Sequence, residues 1–308
     1  MTLSHSPAGH PVYGVIYGNA EPDLKGTANF NSALGARDKD AYVRRAERQH
    51  PVLCIIAGIH GQEVEGMVAA LSLIEILERG YDLRGNLQSE LVQVLKNWRV
   101  IIIPLANPDG RLRCPYNGWV GLPQEEMTKW GQGTRQNGEL YRWAPSKAIH
   151  PMRGDVGILG AYFDDKGVNM MHDNWAAPMS DTTTALLKLV ANEGPDFLLN
   201  LHSYSFPPGI LPVHYTPLSH QEKVHVIAKR YIERIHQLGY RAAKPPAINN
   251  LENADTTPAF NLQSMFFHVG SDVNILFESP HGNNPNSPDF SYEDILEIHH
   301  ELLRVIVV

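Results

Sequence analysis

Cysteine is nearly absent from the 308 residues: only Cys54 and Cys114 occur, and Cys54 stands inside an apolar run. A disulfide framework and a cysteine-rich structural zinc site are excluded, and a reducing, cytoplasmic setting is expected. Basic residues are also in deficit, with 26 Lys and Arg against 33 Asp and Glu for a formal charge of −7. That balance offers no basic face to nucleic acid or to an anionic membrane. The longest apolar stretches, residues 52–59 and 100–103, fall far short of the ~20 residues a membrane span needs. The first residues carry neither a basic block nor an apolar one, so a Sec-type secretory signal is not expected. There is no internal repeat and no linker-like tract. No Gly-x-Ser-x-Gly elbow occurs, and Gly131-Gln-Gly133 opens no helix after a strand, so serine-hydrolase and dinucleotide chemistries find no support. Histidine, by contrast, occurs fifteen times.

At 43% hydrophobic residues the chain can bury a sizeable core. Short apolar runs alternate with helical patterns, which predicts an α/β fold whose sheet is covered on both faces. Strands are expected at 52–59, 98–106, 196–202 and 273–278, each running into a polar loop. Helices are expected at 66–79, with Gly80 as the stop, and at 181–193. Ser219 with Glu222 and Ser291 with Asp294 read as capping boxes ahead of two more helices. Their apolar stripes run through Val224, Ile227, Tyr231, Ile235 and Leu238, and through Ile295, Ile298, Leu302 and Val305. A single domain over residues 1–308 is expected. Within it, residues 111–165 form a long excursion whose Trp119, Trp130 and Trp143 argue for an ordered, substrate-facing segment.

The chemistry concentrates at the strand ends. His60 and Glu63 lie three apart where the first strand stops, so a turn lets both point into one crevice beyond the strand's carboxyl end. His202 ends another apolar strand; alone it would read as a hydrogen-bonded core histidine. With His60 and Glu63 it completes a His₂Glu set, the triplet of catalytic zinc sites that keep one position open. Glu278 ends a third strand, where a carboxylate either reaches solvent or does work such as taking a proton from water at a metal.

Taken in order, His60-x-x-Glu63, Asn107-Pro-Asp-Gly110, Leu201-His202-Ser203 and Phe277-Glu278 resemble the zinc carboxypeptidase family, the carboxypeptidase A-like metallopeptidases, over roughly residues 50–308. The resemblance implies a single α/β domain with a central mixed, mostly parallel eight-stranded twisted sheet flanked by helices. It also implies one Zn²⁺ ion and hydrolysis of an amide bond near the carboxyl end of a peptide or small amide substrate. On this reading His60, Glu63 and His202 hold zinc and Glu278 is the general base. The family places an oxyanion-stabilising arginine after Asn-Pro-Asp-Gly; Arg113 is the candidate, with Arg111, Arg135 and Arg142 as rivals and Arg111 also a substrate contact.

This chain departs from the family where Gly-Val-Asp-Leu-Asn-Arg-Asn is expected and Gly167-Val-Asn-Met-Met-His-Asp173 stands. Asn169 takes the place of the aspartate that orients the first zinc histidine, and Met171-His172 the place of the clamp on the substrate's carboxylate. No tyrosine occurs between Arg241 and Glu278 to match the family's mobile one. His281, beside the polar stretch 282–287, is a further candidate for lining the site. Two other functions compete: an N-acyl amino acid deacylase of the aspartoacylase and succinylglutamate desuccinylase kind, and a binding module that has lost turnover.

Overall fold

A computed structural model describes residues 1–20, 22–115, 123–147, 149–204, 207–248, 259–281 and 290–308. Trp119 and the stretch 282–287 lie outside the described residues. The strands are β1 (Thr2–His5), β2 (Pro11–Tyr13), β3 (Val15–Tyr17), β4 (Val52–Ala57), β5 (Arg99–Ile103), β6 (Phe197–Tyr204), β7 (Gly209–Leu211) and β8 (Val273–Pro280). The helices are α1 (Phe30–Gly35), α2 (Val64–Arg79), α3 (Ser89–Leu95), α4 (Pro108–Arg113), α5 (Gln124–Gly131), α6 (Trp143–Lys147), α7 (Asp181–Glu193), α8 (Leu218–Gln237), α9 (Leu262–Val269) and α10 (Tyr292–Val307).

Every residue of β4 is buried, and alternation along it feeds two cores. Leu53, Ile55 and Ala57 join β6 and β8 residues beneath α2, α8 and α10, whereas Val52, Cys54 and Ile56 pack on the other face with Leu186, Val190 and Phe266 of α7 and α9. A run without polar positions is stable only between two such layers. The fold is thus a mixed α/β sheet flanked by helices on both faces.

The main sheet has the order β3-β5-β4-β6-β8-β7. Its four inner strands are parallel, and β3 and β7 close the edges antiparallel. Among the described residues it therefore has six strands, not the eight expected. The two remaining strands, β1 and β2, pair with each other, and Ser4 of β1 is hydrogen-bonded to Thr182 of α7 at 2.9 Å. They serve as a flap on a helix and do not extend the sheet.

The capping box at Ser291 is present, with Asp294 answering the Ser291 backbone. The one expected at Ser219 is not: α8 starts two residues earlier, after Pro217, so Ser219 lies inside the first turn. Leu238 falls just past the end of α8 and is exposed. The 111–165 excursion contains α5 and α6 and its own small core of Tyr141, Met152 and Phe163. No helix among the described residues is long and apolar enough to cross a membrane.

Candidate metal centre

Parallel pairing makes β4, β6 and β8 end at the same edge of the sheet, and it puts His202 directly opposite Glu278 in register. Beyond β4 the chain turns through His60 and reaches Glu63, whose backbone caps α2 while its side chain is left to the crevice. Glu63 Oε1 lies 2.8 Å from His60 Nδ1 and Glu63 Oε2 lies 2.7 Å from His202 Nδ1. The three ligand atoms fall within 4.8 Å of one another, all three residues are buried, and the two imidazoles meet edge to face at 4.9 Å. No other group of this kind occurs among the described residues.

Two nitrogens and a carboxylate at this spacing suit a zinc ion, with coordination positions left over. His60 Nε2 lies 3.3 Å from Asn169 Oδ1, an acceptor that also takes the Met171 N–H. An amide oxygen there accepts from Nε2–H, so that once Nδ1 gives up the hydrogen it donates to Glu63 its lone pair would be left for a metal ion. Burial alone would raise the Glu63 carboxyl, but the charges and hydrogen bonds of His60 and His202 outweigh it, and its pKa falls far below the usual carboxylate range.

Glu278 is the opposite case. Burial pushes its carboxyl up to about 8; the neighbouring His202 and His281 pull against this, and the charge of Glu63 adds to it. Its Oε2 has no hydrogen-bond partner. Below it lies a buried ion pair that the sequence did not reveal as one. Glu65 Oε2 accepts from Ser203 Oγ at 2.7 Å, and Glu65 Oε1 faces His281 Nδ1 at 3.4 Å. Burial would lower His281, but the charge of Glu65 outweighs it and the pKa rises. His281 is thus buried beside Glu278, between β8 and the start of α2.

The arginines are placed differently from the ligands. Arg113 turns its guanidinium to carbonyls: Nε donates to Leu159 O at 3.1 Å, Nη2 to Gly160 O at 3.2 Å and to Phe163 O, and Nη1 pairs with Asp165. Arg111 Nη1 donates to Pro115 O at 3.3 Å. Arg135 pairs with Asp155 and Glu139, and Arg142 is exposed. The Asn107 of the Asn-Pro-Asp-Gly motif caps α4, while Asp109 accepts from Ser6 Oγ and from Asp165 N.

At the position of the missing clamp, Met171 is buried and burial pushes His172 down to about 3, with the charges of Lys147, His60, His150 and His202 adding. A neutral imidazole is no cation. Lys147 itself, unmarked in the sequence, lies 3.2 Å above the Trp143 ring, and burial lowers its pKa to about 8. The motifs also missed Tyr162, whose ring rests on His60 with centroids 4.1 Å apart. Burial pushes its phenol well above 10, and the carboxylates of Glu63 and Glu278 add to that. Only a tyrosine count in the excursion could have hinted at it.

The family model for zinc carboxypeptidase matches residues 1–265. No curated protein matches the chain in sequence. Among solved structures the chain is similar to a metallo-carboxypeptidase from Burkholderia cenocepacia (TM-score 0.57, 16% identity, 99% of this chain and 63% of that one). It is similar also to the carboxypeptidase A of Helicoverpa armigera (TM-score 0.56, 13% identity, 99% and 66%). A third likeness is to a metallo-carboxypeptidase from Pseudomonas aeruginosa (TM-score 0.53, 15% identity, 98% and 62%). At these identities the likeness is one of fold, and the chain spans less than two thirds of the length of each of the three.

Proposed function

Since the chain belongs to the zinc carboxypeptidase family, we propose that it is a zinc-dependent amide hydrolase acting on peptides or small peptide-like amides. The observation that carries this reading is the convergence of His60, Glu63 and His202 within 4.8 Å at the strand ends, with Glu278 opposite His202. When bound, one zinc ion would supply Lewis acidity to the scissile carbonyl and to a water molecule. The protein residues do the rest. Glu278, desolvated and with one oxygen unpartnered, is suited to take a proton from water and return it to the leaving amine. Asn169 holds the His60 ring, and Glu65 with His281 and Ser203 fixes the end of β8 against that of β6. Lys147 is the cation beside His172, and it would receive a carboxylate on the substrate.

A second reading, hydrolysis of N-acyl amino acids, is favoured by the buried Met171 and the neutral His172 where a two-residue carboxylate clamp would stand. The test has two stages. Purified protein should carry zinc, and His202→Ala should lose it, whereas Glu278→Gln should keep it and lose turnover by about 10³-fold. Screening release of C-terminal residues against N-acyl amino acid cleavage then separates the two substrate classes. An unchanged metal content in His202→Ala sinks the site assignment, and stoichiometric zinc with no turnover on either panel favours a binding module.

A further inference from the structure

Tyr162 stands on a backbone held from several sides. Its own N–H donates to Gly131 O at 3.0 Å and the Ala161 N–H to Trp130 O at 2.8 Å. Ala161 O accepts from Gly61 N at 2.9 Å and from Asn107 Nδ2 at 3.2 Å. Gly110 lets that carbonyl in, since a Cβ there would meet Ala161 O at 2.3 Å. The fork of Arg113 engages the carbonyls of Leu159, Gly160 and Phe163, on both sides of the tyrosine. This bracing fixes the backbone of Tyr162, whose half-buried ring packs on His60 at a tilt of 47° with centroids 4.1 Å apart.

The phenol at the end of that ring is hydrogen-bonded with Gln62, whose buried Oε1 makes no hydrogen bond, so the amide nitrogen donates and the phenol oxygen accepts; the charges of Glu63 and Glu278 act on it as well. Its own O–H then remains to donate elsewhere. An amide hydrolase needs a fixed donor where the carbonyl oxygen gains charge, and a neutral phenol that does not reorganise is well suited to that task. We propose that Tyr162 donates a hydrogen bond to the oxygen of the scissile carbonyl as it becomes anionic, and that Arg113 is the positioning residue for the loop that presents it. No proton is transferred: the phenol stays protonated, and its hydrogen bond shortens and strengthens as charge develops. The inference rests on the hydrolase reading and gives that site its oxyanion donor.

The experiment uses Tyr162→Phe, which keeps the ring on His60 and removes only the donor. Zinc content should equal that of the wild type, KM should stay within about threefold, and kcat should fall by about 10²-fold. Calorimetry supplies a readout independent of turnover. A phosphinic pseudodipeptide isosteric with N-acetyl-alanyl-alanine, whose tetrahedral anion mimics the charged state, should bind the zinc-loaded variant about 10²-fold more weakly than the wild type. Arg113→Met should lose a similar factor, and the double variant should be no worse than Tyr162→Phe alone. Equal phosphinate affinity in the wild type and Tyr162→Phe overturns the proposal. Loss of zinc in Tyr162→Phe does so too, by making the residue a support for His60. Effects that multiply in the double variant overturn the role given to Arg113. Absence of wild-type turnover with zinc bound would instead overturn the hydrolase reading.

Discussion

Replacing Gly61 with alanine probes the ligand turn without touching a ligand. Gly61 lies between His60 and Gln62, and a Cβ there would stand 2.2 Å from both Arg111 N and Gly110 C. An ordinary contact needs about 3.4 Å, so the ligand turn and the start of α4 must part by about 1.2 Å. Both partners are backbone and have no rotamer with which to yield. Overpacking of this kind costs about 1–3 kcal/mol. A metal site tolerates displacements of only about 0.5 Å, so His60 should also leave its place beside Glu63. Thermal unfolding and zinc titration against a chelator should show the loss of stability and a fall in affinity of about 10- to 100-fold. Gly35→Ala in α1 is the control, because a Cβ there meets nothing within 4 Å. If Gly61→Ala binds zinc as the wild type does and melts with the control, the packing argument is refuted.

Two further predictions concern the buried charges around the site. Glu65→Gln should destabilise the fold by about 3 kcal/mol in denaturant unfolding, because it leaves the His281 imidazole buried beside a neutral partner; a loss under about 0.5 kcal/mol would contradict the ion pair. His299 is buried, and burial pushes its pKa from the usual 6.5 down to about 4. Between those values the unfolded chain takes a proton that the folded one refuses, so stability is intact above about pH 6.5 and declines as the pH falls toward 4. His299→Met should remove up to about 3 kcal/mol of that decline. Parallel stability curves for variant and wild type between pH 7 and 4 would show the assignment to be wrong.

The inner strands were legible because residues 52–57, 99–103, 197–202 and 273–278 carry long apolar runs that only a doubly covered sheet can bury. β1, β2, β3 and β7 have three or four residues each, too few for a period to show. Ser219 misled because Pro217, with its fixed φ, already caps α8 two residues sooner. His60, Glu63, His202 and Glu278 could be read as a group since each is a polar residue at the end of an apolar strand or in the turn after it. Tyr162 and Lys147 could not. Tyr162 owes its place to partners far along the chain, Asn107 and Arg113 among them, and Lys147 lies over Trp143 four residues earlier, in an excursion with no periodicity to mark either.

Glu63 and His202 are 139 residues apart in sequence and 2.7 Å apart in space, one at the head of α2 and the other in β6. An ion shared between them is therefore a removable crosslink through the middle of the sheet. The chain between them could not open fully until the ion left, and zinc that binds only the folded chain would stabilise it in proportion to the logarithm of free zinc over its dissociation constant, about 4 kcal/mol at a thousandfold excess. Metal supply would then govern how long the chain survives proteolysis as well as whether it turns over, and a chelator would act on its lifetime.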